Sequence, residues 1–186
     1  MKKLLTAVAC AAALCAGGLA HAEVLTFNNP GLVDIDNDTF VATYTESGFT
    51  ISGQAAAFLP LDNALAGGFD GTPFSLKALG GGFFSLLSLD YAPYRFSPDD
   101  PVDPNATLTL VGLGGAVPVE QIFNLGSSGT AVFGQEWAHL TEVTFTGTGL
   151  FSVDNISAVP EPSRLALAAI GLIGVVAAVR KRSTVG

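Results

Sequence analysis

The 186-residue chain carries 16 acidic against 8 basic side chains, a net charge of −8, and is rich in glycine, with 22. All but one of the acids, but only two bases, Lys77 and Arg95, lie between Glu23 and Val159, so this span holds a net −13 and repels nucleic acid and anionic lipid alike. It is long enough for one hydrophobic core, and because both cysteines, Cys10 and Cys15, precede it, packing must hold it without a disulfide.

The first element is a leader. Lys2 and Lys3 precede an apolar stretch from Leu4 to Leu19, followed by small residues, the three-part pattern of a secretory signal peptide over residues 1–22. Ala20 and Ala22 fill the small-residue positions of the cleavage site and make Glu23 the first mature residue. Cys10 comes too early to follow an apolar core and Cys15 follows bulky Leu14, so neither reads as a lipoprotein cysteine.

From residue 23 to 158 the pattern is strand after strand. "VLTF", "TFVATYT", "GFTIS", "FFSLLSLDYA", "ATLTLVGL", "VPVEQIFNL", "LTEVTFTG" and "LFSVDNI" are rich in Val, Phe, Thr, Ile and Leu, often alternate with period two, and are punctuated by Gly, Asn, Asp or Pro. In the segment Val143 to Thr148, Val143 and Phe145 point one way and Thr144 and Thr146 the other, as a strand with one buried face requires. About eight short strands without an amphipathic helix predict an all-β, two-sheet sandwich. "SPDDPVDPN", Ser97 to Asn105, has three prolines that cannot all sit in a ladder and is the clearest loop.

The last element runs from residue 159 to 186. Val159-Pro160-Glu161-Pro162-Ser163 leads into fifteen apolar residues, Leu165 to Val179, and then Arg180, Lys181 and Arg182. As a helix, fifteen residues reach about 23 Å against a hydrocarbon core of about 30 Å, so length alone leaves a membrane span borderline. The flanks favour it: Arg164 snorkels at one end, and the tribasic block at the other stays cytoplasmic as a membrane stop. Gly171 and Gly174 are three apart, so no helix-dimerising GxxxG pair is present. Triplet, apolar helix, basic stop and leader in this order resemble the PEP-CTERM sorting signal of Gram-negative bacteria. The resemblance implies recognition by an exosortase, an inner-membrane-anchored precursor held by its C-terminal helix, and delivery to the cell envelope or extracellular matrix of exopolysaccharide-producing cells. "YTESGFTISG", "FSLLSLDYAPY" and "LTEVTFTGTGLFSVDNISA" are similar to a recurrent jelly-roll-like domain of such proteins, which implies a jelly-roll-like form of the sandwich.

Three constellations within the exported domain are candidates for chemistry. Asp34, Asp36 and Asp38 alternate like the first ligands of a calcium loop, but the sixth position is Thr39 and the twelfth Thr45, so this is no EF-hand. In a jelly roll the first and last strands can be neighbours, which makes Asp36, Asp38 and Asp154 the candidate calcium ligands, with a solvated turn as the alternative; no other cofactor is expected. For glycan binding the candidates are Trp137, Tyr91, Tyr94 and Tyr44, whose rings offer faces to sugars, against the alternative that they cap a core with the polar end wet. For catalysis, His139 is the single histidine after Glu23 and no G-x-S-x-G turn occurs, so a Ser-His-Asp set would have to form around one imidazole. The expected function is a non-catalytic exported surface or matrix protein, with exosortase and exopolysaccharide as partners and no nucleic acid. A small secreted carbohydrate-active hydrolase is the alternative.

Overall fold

A computed structural model describes residues 21–28, 33–61, 63–115 and 117–161. The expected leader through Ala20, the segment 165–179 expected to span the membrane, Pro162, Ser163 and the expected tribasic stop lie outside the described residues. Among those described, no helix is long and apolar enough to cross a membrane.

Ala22–Pro160 form one compact unit. It is built from β1 (Glu23–Leu25), β2 (Val33–Asp36), β3 (Val41–Glu46), β4 (Phe49–Gln54), β5 (Phe58–Leu61), β6 (Ala64–Gly67), β7 (Phe74–Ala78), β8 (Phe84–Pro93), β9 (Thr107–Leu113), β10 (Val119–Asn124), β11 (Gly129–Val132), β12 (Glu142–Gly147) and β13 (Phe151–Pro160). All eight expected segments contain a strand; β2, β5, β6, β7 and β11 are additional. The period-two pattern dictates the faces: Val143 and Phe145 of β12 are fully buried and Thr144 and Thr146 half-buried on the outer side, and Leu108 and Leu110 of β9 alternate inward with Thr107 and Thr109 outward.

The strands form a two-sheet, jelly-roll-like sandwich. One sheet has the order β11–β8–β13–β6–β5, with β1 also paired to β13; the other has the order β10–β9–β12–β7–β4–β3–β2. Every pairing is antiparallel. β13 is the organising strand of the first sheet. It pairs with β8 on one side, while β6 covers Phe151–Val153 and β1 covers Ile156–Ala158 on the other. Between Asp154 and Ser157 its register against β8 shifts, and Asn155 adopts a positive φ of 47°. Asparagine tolerates this left-handed conformation, and the irregularity keeps Val153 and Ile156 both on the inner face.

The core between the sheets is aromatic. Phe74 stacks on Phe145 with centroids 5.0 Å apart and packs against Phe151 and Phe58 at 5.9 and 5.4 Å. Close approach here needs a glycine: a Cβ at Gly67 would lie 2.6 Å from the Phe74 ring and 2.7 Å from that of Phe151. Among the described residues the buried set is hydrophobic throughout.

Candidate functional site: the sorting segment and the two sheet faces

The strand that organises the first sheet leads directly into the sorting segment. Val159 pairs with Ser85 and Pro160 with Phe84, so β13 continues two residues beyond the domain boundary expected at residue 158. Proline has no N–H for a ladder and ends the strand, and Glu161 follows outside it. The expected mature N-terminus, Glu23, pairs with Ala158, which puts the start of the mature chain beside the start of the sorting segment.

The outer face of the six-stranded sheet carries a shallow groove of about 300 Å³, lined by Asp90, Tyr91, Ser128, Thr130, Ser152 and Asp154. Asp90 on β8 and Asp154 on β13 stand directly opposite each other. Thr130 donates from its hydroxyl to Asp90 Oδ1, and Asn155 donates from Nδ2 to Asp90 Oδ2 at 2.8 Å; these bonds hold the Asp90 carboxyl below the usual carboxylate range. Asp154 Oδ1 accepts from the Asn155 N–H at 2.6 Å, yet desolvation, with the nearby Asp90 and Glu46 charges, pushes its carboxyl up. Two facing carboxylates thus have environments that move their proton affinities apart. Sequence reasoning did not single out Asp90, because the pairing arises from the β8–β13 register and no local motif marks it.

The four aromatic candidates separate: Tyr44 is fully buried, with its hydroxyl donating to Glu46, and offers no face. Trp137 is 2% exposed in a single 3-10 turn, Gln135–Trp137, and packs on Phe133 at 4.7 Å, so its faces are covered and it caps the core instead of offering a platform. Tyr91 packs on Phe123 at 4.7 Å and lines the acidic groove. Tyr94 belongs to a solvent-facing cluster with Phe69 and Phe96, at 6.4 and 5.3 Å, in which Phe96 is 70% exposed. His139 stacks on Phe83 at 3.8 Å.

The expected calcium ligands are not brought together. First and last strands do pair, but the first is Glu23–Leu25, whereas Asp36 and Asp38 lie at the β2–β3 turn of the other sheet. Asp36 Oδ1 accepts from the N–H groups of Asp38 at 2.8 Å and Thr39 at 3.2 Å, which stabilises the turn and lowers the Asp36 carboxyl's proton affinity. Asp154 is engaged at the bulge of β13, and among the described residues no three His, Cys, Asp or Glu side chains form a cluster able to hold a metal ion.

The outer face of the seven-stranded sheet is different in kind. Asp34, Thr43, Ser52, Ser75, Thr144, Val111 and Glu120 are successive register partners across all seven strands. Thr45 and Thr50 form a pair in the adjacent row, and Thr146 and Thr109 a pair in the row on the other side. A shallow groove of about 510 Å³ lies over the middle of this face. The Glu142 carboxylate meets the Lys77 ammonium at 3.2 Å beside it.

The central strand of the six-stranded sheet thus runs straight into the proline-bracketed Glu161. The PEP-CTERM protein-sorting motif matches residues 158–182, so the chain carries that signal and is an exosortase-sorted, exported protein with a membrane-anchored precursor. No curated protein sequence matches the chain. Two solved structures are similar in strand arrangement, each at a TM-score of 0.45 and 11% identity over 75% of this chain. One is a carbohydrate binding module of family 29, covered over 88% of its length; the other is a point variant of module 29-2 made to probe ligand recognition, covered over 91%.

Proposed function

We propose that the exported sandwich is a non-catalytic surface or extracellular-matrix protein that associates with exopolysaccharide after sorting. The observation that carries this reading is the continuity of β13 with the sorting motif: the domain is fused without a linker to the segment that decides where it goes. The engagement of His139 in a ring stack and the burial of Trp137 in the core are in keeping with a domain that displays sheet faces.

Sorting is tested by two substitutions in a host with and without its exosortase. Glu161→Ala leaves the apolar segment and its basic flank intact, so the uncut protein should accumulate in the inner membrane. Neutralising Arg180, Lys181 and Arg182 together removes the charges that oppose translocation, so that variant should be partly released. If wild type and Glu161→Ala share one mature mass and location in both hosts, the tail is an anchor only.

The second reading, a small carbohydrate-active hydrolase, draws on the Asp90–Asp154 pair, since facing carboxylates of divided proton affinity suit acid–base work. Incubation with the host's exopolysaccharide separates the two: new reducing ends that vanish in Asp154→Asn favour the hydrolase, and retention without turnover favours the matrix protein.

A further inference from the structure

We propose that the outer face of the seven-stranded sheet, along the row Thr43–Ser52–Ser75–Thr144, is the surface on which a neutral polysaccharide chain lies. The inference rests on the exopolysaccharide reading above and names the surface and the ligand class.

The first support is the row itself. The four hydroxyls are register partners on four adjacent strands, β3, β4, β7 and β12. With strands about 4.8 Å apart, they span roughly 14 Å at a repeat comparable to the length of one pyranose ring. Each hydroxyl both donates and accepts, the capacity that a chain of sugar hydroxyls and ring oxygens requires. Several hydroxyls elsewhere in the sandwich are occupied: Thr26 bonds Glu46, Thr107 pairs with Thr148, Thr130 bonds Asp90 and Thr141 bonds the Leu113 carbonyl. Among the described residues, the row of four makes no side-chain hydrogen bond to protein, and all four are half-buried, facing out.

The second support is charge. In a domain of net −13, the outward positions of β3, β4, β7, β12 and β9 carry one acid, Glu142, and Lys77 neutralises it at 3.2 Å. The remaining acids of this sheet face lie on its edge strands, Asp34 and Asp36 on β2 and Glu120 on β10. A neutral strip between acidic margins complements an uncharged polymer and disfavours an anionic one. The third is shape: the groove of about 510 Å³ runs over Ser52, Ser75 and Thr144, with Val41 and Pro73 as apolar neighbours for the C–H faces of sugars.

The test uses the full chain in detergent and measures retention on insoluble neutral β-glucan, on neutral α-glucan, on anionic alginate and on the host's exopolysaccharide. The quadruple variant Thr43→Val, Ser52→Ala, Ser75→Ala, Thr144→Val deletes the row while keeping strand-compatible shapes. Leu59→Thr with Val132→Thr, at exposed positions of the opposite sheet, serves as the control; circular dichroism verifies the fold of each variant, and Thr144→Arg alone provides a second, steric block should the quadruple variant misfold. Retention of wild type on a neutral glycan and not on alginate, lost at least about tenfold in the row variants and unchanged in the control, is expected, because four hydrogen bonds at about 0.5–1.5 kcal/mol each exceed one decade of affinity. Equal retention of wild type and row variants overturns the assignment of the face but leaves the exopolysaccharide reading standing. Preference for alginate overturns the neutral-ligand inference. Retention on none of the four overturns both.

Discussion

Glu46 is a latch between the sheets, and removing it should loosen the strand that abuts the sorting segment. Its carboxylate accepts from the Tyr44 hydroxyl at 2.9 Å, the Phe27 N–H at 3.1 Å and the Thr26 hydroxyl at 3.3 Å. Glu46 ends β3 in the seven-stranded sheet, and Thr26 and Phe27 follow β1 of the six-stranded one. Phe27 needs holding: its φ of 54° is in the left-handed region, a conformation that costs a non-glycine residue about 1–3 kcal/mol. Glu46→Ala leaves the buried Tyr44 hydroxyl without its acceptor, at about 1–3 kcal/mol, and forfeits the bond to the Phe27 N–H, at about 1 kcal/mol. The sum is about 2–4 kcal/mol, which for a domain of this size lowers the Tm by roughly 6–12 °C. Glu46→Gln keeps an acceptor and should lose about half as much. Thermal melts of the full chain in detergent give the size, and amide exchange gives the place: protection should fall first in β1 and in Ile156 to Ala158, which β1 covers. Burial first and the Glu46 carboxylate second raise the Tyr44 phenol's pKa, so in Glu46→Ala it should come down without reaching its ordinary value. A Tm change below about 2 °C, on a scale of about 3 °C per kcal/mol, or faster exchange confined to the seven-stranded sheet, refutes the latch.

Phe74→Ala removes the ring on which Phe58, Phe145 and Phe151 converge and should cost about 3–5 kcal/mol, measured by chemical denaturation. Asp154 and Asp90 should respond to pH with opposite sign. The fold raises the proton affinity of Asp154, so its ionised form is a liability above the folded pKa that fades as pH falls through it; Asp154→Asn should therefore raise the Tm at pH 7 and lose that advantage in acid. The fold lowers the pKa of Asp90, so its contribution is present above the unfolded pKa and disappears as pH falls through the folded one; Asp90→Asn should lower the Tm at pH 7 and match wild type in strong acid. Millimolar calcium should leave the melting curve unchanged, since Asp36 and Asp38 stabilise a turn in one sheet and Asp154 a bulge in the other; a clear rise in Tm would refute that account.

The strands legible in the sequence are those whose alternation the core imposes. β12 and β9 place Val143 and Phe145, or Leu108 and Leu110, against the opposite sheet, so a periodic signal survives in the chain. Of the strands not anticipated, β7 carries that imprint in Phe74, Leu76 and Ala78 across only five residues, whereas β2, β5 and β6 lack it. β2 is an edge strand, Val33–Asp36, with three exposed residues; β5 contains Pro60, tolerated because β5 is also an edge; β6 is Ala-Leu-Ala-Gly, kept small under the Phe74 and Phe151 rings. The sorting motif was legible because its order along the chain is itself the signal. The Asp90–Asp154 pair and the hydroxyl row were not, because each is a product of register: residues 64 positions apart face one another in the first, and four strands contribute one residue each to the second. Of the two readings open for Trp137 in the sequence, the structure favours the core cap, since the 3-10 turn directs the indole inward onto Phe133.

The same register would tie both expected processing events to the fold. If the leader is cut after Ala22, the residue released is Glu23, already paired with Ala158, and the next residues on that strand, Val159 and Pro160, open the sorting motif. β1 is short, three residues, and its Val24 is 43% exposed, so its hold on β13 depends on Leu25 in the core and on the Glu46 bonds to Thr26 and Phe27 just beyond it. β13 by contrast is clamped along its length by β8 through Pro160. Loosening β1 therefore exposes one edge of Ile156 to Ala158 without detaching Val159 and Pro160 from Ser85 and Phe84. Val159 and Pro160 are in this way held by the longer pairing and insulated from the weaker one: variants at Glu46 should change stability and local exchange while the protein is still sorted, whereas changes at Glu161 should stop sorting while the sandwich melts as wild type does.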